Sequence, residues 1–135
     1  MIYTSYFSKL SALTAAGIVP ISIALYKPKW YNGYEASILA PHPDLLKRFK
    51  IFHDEKAYRD EFRTENLERL DPYKLVCGLQ EMIGNRHEFA LICYEKPTSF
   101  CHRHLVAEWL NENGIPCKEW MKNKIKKSIA NMGSD

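Results

Sequence analysis

Cys101 is followed directly by His102, Arg103 and His104, and eight residues before Cys101 stands Cys93, followed by Tyr94 and Glu95. A thiol beside an imidazole supplies a nucleophile, Cys101, and a proton carrier, His102. A guanidinium such as Arg103 holds a carboxylate or a phosphate through paired hydrogen bonds. Glu95 would orient Arg103 or act as a base. If Cys101-His102-Arg103 opens a helix, its free N–H groups attract an anion and lower the thiol pKa. A cation in a first helical turn opposes the dipole, so Arg103 is best explained by an anion it holds. That anion would be an external phosphate or, internally, the Glu95 carboxylate.

Spacing narrows the chemistry. A phosphatase-type loop needs Cys, five residues, then Arg. Ser99 follows Cys93 at that distance and Ala107 follows Cys101, so the pattern fails. A sulfurtransferase-type cradle would place Cys93 at a strand end, but Pro97 removes one N–H and no Gly eases the turn. A zinc site would use Cys93, Cys101 and His102 or His104. Seven residues separate the two Cys, wider than a usual knuckle, and the chain has no CxxC and no HxxxH. A thiol or zinc site therefore stands as an alternative. The leading reading calls for no cofactor and no metal. The blandest option makes Glu95, Cys101 and Arg103 a structural latch between strand and helix.

These residues need elements to position them. Ile2 to Phe7 is aromatic and β-branched and predicts a strand. A short helix over 10–16 would end at Gly17. Ile18 to Leu25 reads as a second strand, apolar enough to be covered on both faces, with Pro20 at its start or on an unpaired side. Tyr26 to Pro43 reads as a long loop. Short and charged helices follow over 43–49 and 54–70, with Asp54 as N-cap. A third, over 72–83, starts with Asp71 as N-cap and Pro72 at its first position. Glu88 to Tyr94 is the plainest strand. A helix from about Cys101 to Asn113 stops at Gly114, Ile115–Cys117 would be a short strand, and 119–131 a last amphipathic helix. Strands alternating with helices predict an α/β fold: one compact domain over 1–131, a small, mostly parallel sheet flanked by helices, and a frayed tail at 132–135. In such a sheet, ligands bind beyond the carboxyl ends of the strands, where Cys93 and Cys101 would lie.

Composition bounds the rest. The chain has 135 residues, 46% hydrophobic and 26% charged, which fits one core that folds without disulfides or metal. Six Gly and seven Pro exclude collagen and low complexity. The net charge is +3, which permits an anionic partner without demanding one. The start lacks a positive n-region, and Leu10 to Leu25 is interrupted and short for a bilayer. The expected setting is cytoplasmic, with reduced thiols and no membrane contact.

The block Leu91-Ile92-Cys93-Tyr94-Glu95-Lys96-Pro97, then Cys101-His102-Arg103, then Leu105 to Leu110 resembles the domain-of-unknown-function family 488. That family carries a strand ending in Cys-x-Glu and a Cys-His-Arg that opens a helix. The opening Ile2 to Tyr6 and Leu39-Ala40-Pro41 are similar to family features. The resemblance implies a compact α/β domain of bacterial or phage origin with a site near Glu95, Cys101, His102 and Arg103. Many members have an Asp-x-Arg pair after the second strand, where this chain reads Ile23-Ala24-Leu25-Tyr26-Lys27-Pro28-Lys29-Trp30. That departure implies altered activity, with Lys27 or Lys29 replacing the positive charge but not the acid.

Lys27, Lys29, Trp30, Tyr31 and Tyr34 mix cations with rings, a combination suited to unpaired bases. Lys118 to Lys127 holds five Lys against Glu119, which serves either as a solvated helix face or as a phosphate contact. If the Trp30 loop covers the sheet end that holds Cys101, one cleft gathers Lys27, Lys29, Trp30, Tyr31, His102 and Arg103. The expected function is binding of a nucleotide or nucleic acid through its phosphate, with Arg103 on the anion and acid/base chemistry from His102. The rival is a non-catalytic module or inhibitor that binds a protein partner.

Overall fold

The structure is a computed structural model, and it describes residues 1–85, 88–95 and 100–122. Among the described residues, five strands form one sheet in the order β3-β2-β4-β1-β5: β1 is Ile2–Tyr6, β2 Val19–Ser22, β3 Tyr34–Glu35, β4 Phe89–Cys93 and β5 Cys117–Glu119. Each pairing is parallel. The α-helices among the described residues are α1 Leu10–Ala15, α2 Pro43–Phe52, α3 Glu55–Phe62, α4 Pro72–Met82 and α5 His102–Glu112. The expected α/β architecture with a parallel sheet is the observed one.

β4 lies between β2 and β1 and is buried along its whole length. Its alternating side chains supply both faces. Phe89 and Leu91 join Ile2, Val19, Ile21 and residues of α2 to α5 in one core cluster. Ala90 and Ile92 join Phe7, Leu13, Ile18 and Tyr31 in the other. A strand with two buried faces needs no polar alternation, which explains why the run Phe89 to Cys93 is wholly apolar.

Pro20 sits inside β2, and the register explains how. The N–H groups of Val19 and Ile23 are donated toward β4. Pro20 therefore faces the β3 side, and β3 pairs with β2 only from Ile21 onward. Its missing N–H has no strand partner to lose.

Helix starts follow the local chemistry. Asp54 accepts from the Ala57 N–H at 3.0 Å. Asp71 accepts from the N–H groups of Tyr73 and Lys74, with Pro72 at the first helical position. Both caps satisfy donors that the helix leaves unpaired.

Several expected boundaries move. The second strand covers Val19–Ser22 rather than 18–25, because β3 pairs only at its carboxyl end and the chain then turns away. The long loop carries β3 and a 3-10 turn, Ser37–Leu39. The charged helix over 54–70 divides: α3 ends at Phe62 and a π-helical turn, Arg63–Leu67, follows, burying Asn66 and Leu67. Its Asn66 amide donates to the Ala40 carbonyl at 2.9 Å. The short strand lies at Cys117–Glu119, so Glu119 is a strand residue and not a helix start. Residues 120–122 continue without helix, and the rest of the expected last helix, with its Lys run beyond Lys122 and the tail, falls outside the described residues, as do Lys96 to Ser99.

Candidate active site

β1 is followed by α1, whose Leu13 packs on one face, while β4 leads to α5, whose Leu105 and Val106 pack on the other. β1 and β4 are neighbours. Adjacent parallel strands whose connections leave toward opposite faces open a crevice at their carboxyl ends. Cys93 ends β4 there, and Cys101 is the N-cap of α5.

Arg103, in the first turn of α5, is fully buried. Its Nε and Nη2 donate to the two carboxylate oxygens of Glu119, each at 3.1 Å. Its Nη1 donates to Cys93 Sγ at 2.9 Å and to the Glu95 carbonyl. The guanidinium also lies over the Tyr6 ring, 5.6 Å from its centre. Thr4 Oγ1 donates to Glu119 Oε1 at 2.7 Å. One side chain thus ties the carboxyl ends of β1, β4 and β5 to the start of α5. The carboxylate on Arg103 is Glu119, not Glu95, which contributes only its main-chain oxygen. β5 pairs with β1, so its Glu119 reaches Arg103 across the sheet, a proximity that only the strand order creates. With its guanidinium buried against Glu119, Cys93 Sγ and the Glu95 carbonyl, Arg103 holds an internal carboxylate, and that carboxylate comes from Glu119.

His102 is 7% exposed, and its Nε2 lies 2.6 Å from the Ile23 carbonyl oxygen. A carbonyl only accepts, so Nε2 carries the proton and Nδ1 keeps its lone pair. That Nδ1 is 3.8 Å from Cys101 Sγ. Burial pulls the imidazole pKa down to about 4, and the Ile23 hydrogen bond opposes this only in part. At neutral pH the ring is therefore uncharged, with the Nδ1 lone pair turned toward Cys101. The sulfurs of Cys93 and Cys101 are in disulfide contact, with Cα atoms 7.6 Å apart.

A cavity of about 410 Å³ opens onto this group. Cys93, Cys101 and His102 line it, together with the rings of Tyr26, Phe49, Tyr58, Tyr94 and Phe100, and with Lys50 and Glu95. The rings are mutually ordered: Tyr58 meets Phe100 edge-on at 5.2 Å, and Phe49 lies 5.1 Å from Phe100. Burial keeps the Tyr58 hydroxyl strongly protonated.

The cluster of Lys27, Lys29, Trp30 and Tyr31 does not line this cavity. Lys27 pairs with Glu35 at 3.4 Å. Tyr31 is buried in the opposite core cluster, where its hydroxyl donates to the Tyr34 carbonyl at 2.7 Å. Trp30 packs on Phe7, 6.1 Å between ring centres. Tyr94 stands between the two regions: it packs on Phe7 at 4.9 Å, lines the cavity and donates its hydroxyl to the Tyr26 carbonyl at 2.6 Å. The structure thus brings together Cys93, Glu95, Cys101 and His102 around the cavity and sets Lys27, Lys29, Trp30 and Tyr31 apart from it. Sequence reasoning missed Glu119, Phe49, Tyr58 and Phe100 as site residues. Only the aromatic spacing of α2 and α3 hinted at the rings, and it equally describes a core-facing stripe.

The family model described as "DUF488-N3a: Active DUF488-N3 subclade" matches residues 22–114. That span covers more than half of the chain and runs from the end of β2 through α5. It includes Cys93, Cys101, His102 and Arg103, and it stops short of Glu119. No curated protein and no solved structure matches the chain.

Proposed function

The chain belongs to the DUF488 family, and from that premise we propose that its cavity binds a nucleotide or the end of a nucleic-acid strand. The observation that carries this reading is the aromatic wall, Tyr26, Phe49, Tyr58, Tyr94 and Phe100, around an opening that also exposes the start of α5. A planar base stacks on such rings whatever its identity. The volume suits a small ligand of this size class. The phosphate lies toward the N-terminal end of α5 and Lys50, where the helix dipole and one cation favour negative charge. Arg103 contributes by fixing the helix start, not by touching the anion. Where chemistry follows binding, Glu95, an exposed lining residue, serves as the base.

Equilibrium binding of labelled nucleotides and short single-stranded oligonucleotides, across a salt series, tests this. Tyr94→Ala weakens binding about tenfold, the loss of one stacking surface. Lys50→Ala weakens it and flattens the salt dependence. A Lys27→Ala/Lys29→Ala variant binds like the parent. Absence of binding at low salt overturns the proposal, and so does binding that the Lys27/Lys29 pair controls and Tyr94 does not.

A further inference from the structure

We propose that the reduced chain holds a zinc ion on Cys93 Sγ, Cys101 Sγ and His102 Nδ1, with its fourth position open to the cavity. This stands independently of the nucleotide reading. The three donor atoms lie within 4.8 Å of one another. They come from two rigid places, the end of β4 and the first residues of α5, so the backbone gathers them before any ion arrives.

The surroundings are those a metal ligand needs. A ligating imidazole binds through one nitrogen and donates the other N–H to an oxygen that fixes its orientation. His102 does this with the Ile23 carbonyl, which leaves Nδ1 as the free lone pair beside Cys101. The Arg103 Nη1–H donates to Cys93 Sγ, a contact that favours a thiolate. The guanidinium's own charge is balanced by Glu119. Two thiolates neutralise one divalent zinc, so the assembled centre carries no net charge into a buried site. Binding releases one proton from each thiol to solvent, and no electron moves.

Donor type selects the ion. Two thiolates and an imidazole suit zinc and disfavour magnesium or calcium. Three protein ligands with an open fourth position are the arrangement of zinc sites that act on a bound water or ligand. The cavity meets that open side, because all three residues line it. The Cα atoms of Cys93 and Cys101 stand 7.6 Å apart, a span that two thiolates can bridge through a shared ion once the chain is reduced.

The full chain is purified without oxygen or added metal, and its metal content and reactive thiols are measured. The expected result is a single zinc per chain. A chelator then removes the ion and makes two further thiols reactive beyond the exposed Cys77. Zinc content falls to background in Cys93→Ser, Cys101→Ser and His102→Ala, while Cys77→Ser keeps its ion. Should a Cys variant fail to fold, the parent loaded with cobalt still decides: thiolate-to-cobalt absorption is expected, and its bands shift in His102→Ala. A zinc-free chain that takes up neither zinc nor cobalt with its thiols reduced overturns the proposal. Anaerobic isolation of the Cys93–Cys101 disulfide that resists mild reductant also overturns it, as does zinc retained by the Cys93→Ser/Cys101→Ser double variant.

Discussion

Arg103 illustrates how one side chain changes meaning with its surroundings. A cation in a first helical turn, next to a Cys and a His, reads as an anion-binding group. In the folded chain it is sealed inside and joined to Glu119 by two bonds. Removing one partner of such a pair leaves the other charge uncompensated. Arg103→Met is expected to cost about 3 kcal/mol of stability, read from urea unfolding with an unchanged slope. Adding Glu119→Leu is expected to recover a large part of that loss. If the double variant is no better than the single, the pair is not the source of the cost. Cys117 offers a second test at this scale. Burial, reinforced by Glu119, pushes its thiol up to about 12. An unfolded thiol ionises near 9, so between these values the unfolded state loses its proton first and stability falls as pH rises. Below pH 9 the same shift protects the thiol by keeping it protonated. Iodoacetamide at pH 8.5 is therefore expected to label Cys77 and spare Cys117. Equal labelling of the two would contradict the burial argument.

The elements are held by short-range rules, and those rules were readable. Asp71-Pro72 announces a helix start because the carboxylate accepts the first free N–H groups and proline's missing N–H is not needed there. Asp71→Ala is expected to lower stability by about 1 kcal/mol, and Asp71→Asn by much less. A matching drop in both would show that charge, not the capping hydrogen bond, is what matters. The apolar run of β4 and the stop at Gly114, with its left-handed backbone (φ +78°), were equally plain. The π-helical turn Arg63–Leu67 was not. It exists because Asn66 and Leu67 must both reach the interior, and the local pattern of charged residues carries no sign of that demand. β3 was likewise hidden, since two residues of strand acquire their role only by lying beside β2.

At the scale of the whole molecule, the strand order decides what the site is. β4 enters between β2 and β1, which sets its carboxyl end beside the loop after β2 on one side and beside β1 and β5 on the other. The first neighbour brings the Ile23 carbonyl to His102, and the second brings Glu119 to Arg103. The same arrangement sends Trp30 and Tyr31 over the face that carries Phe7, while Tyr26 and Tyr94 join the rings of α2, α3 and Phe100 around the cavity. The Lys27→Ala/Lys29→Ala variant tests this division directly. Ligand binding that followed those lysines would mean that the two faces cooperate around the sheet end.

The sequence by itself determined the α/β class, the parallel strand in which Cys93 lies, the helix that Cys101 opens and the family to which the chain belongs. Each of these depends on neighbours along the chain: periodicity, caps, Gly and Pro, and a short motif. Only the tertiary structure decided that Arg103 faces Glu119, that His102 is an uncharged ring anchored on Ile23 and that the aromatic wall comes from Phe49, Tyr58 and Phe100. Those facts rest on pairings between segments far apart in the chain. They follow from which strand lies beside which, a choice made by the packing of the whole core and not by any local run of residues.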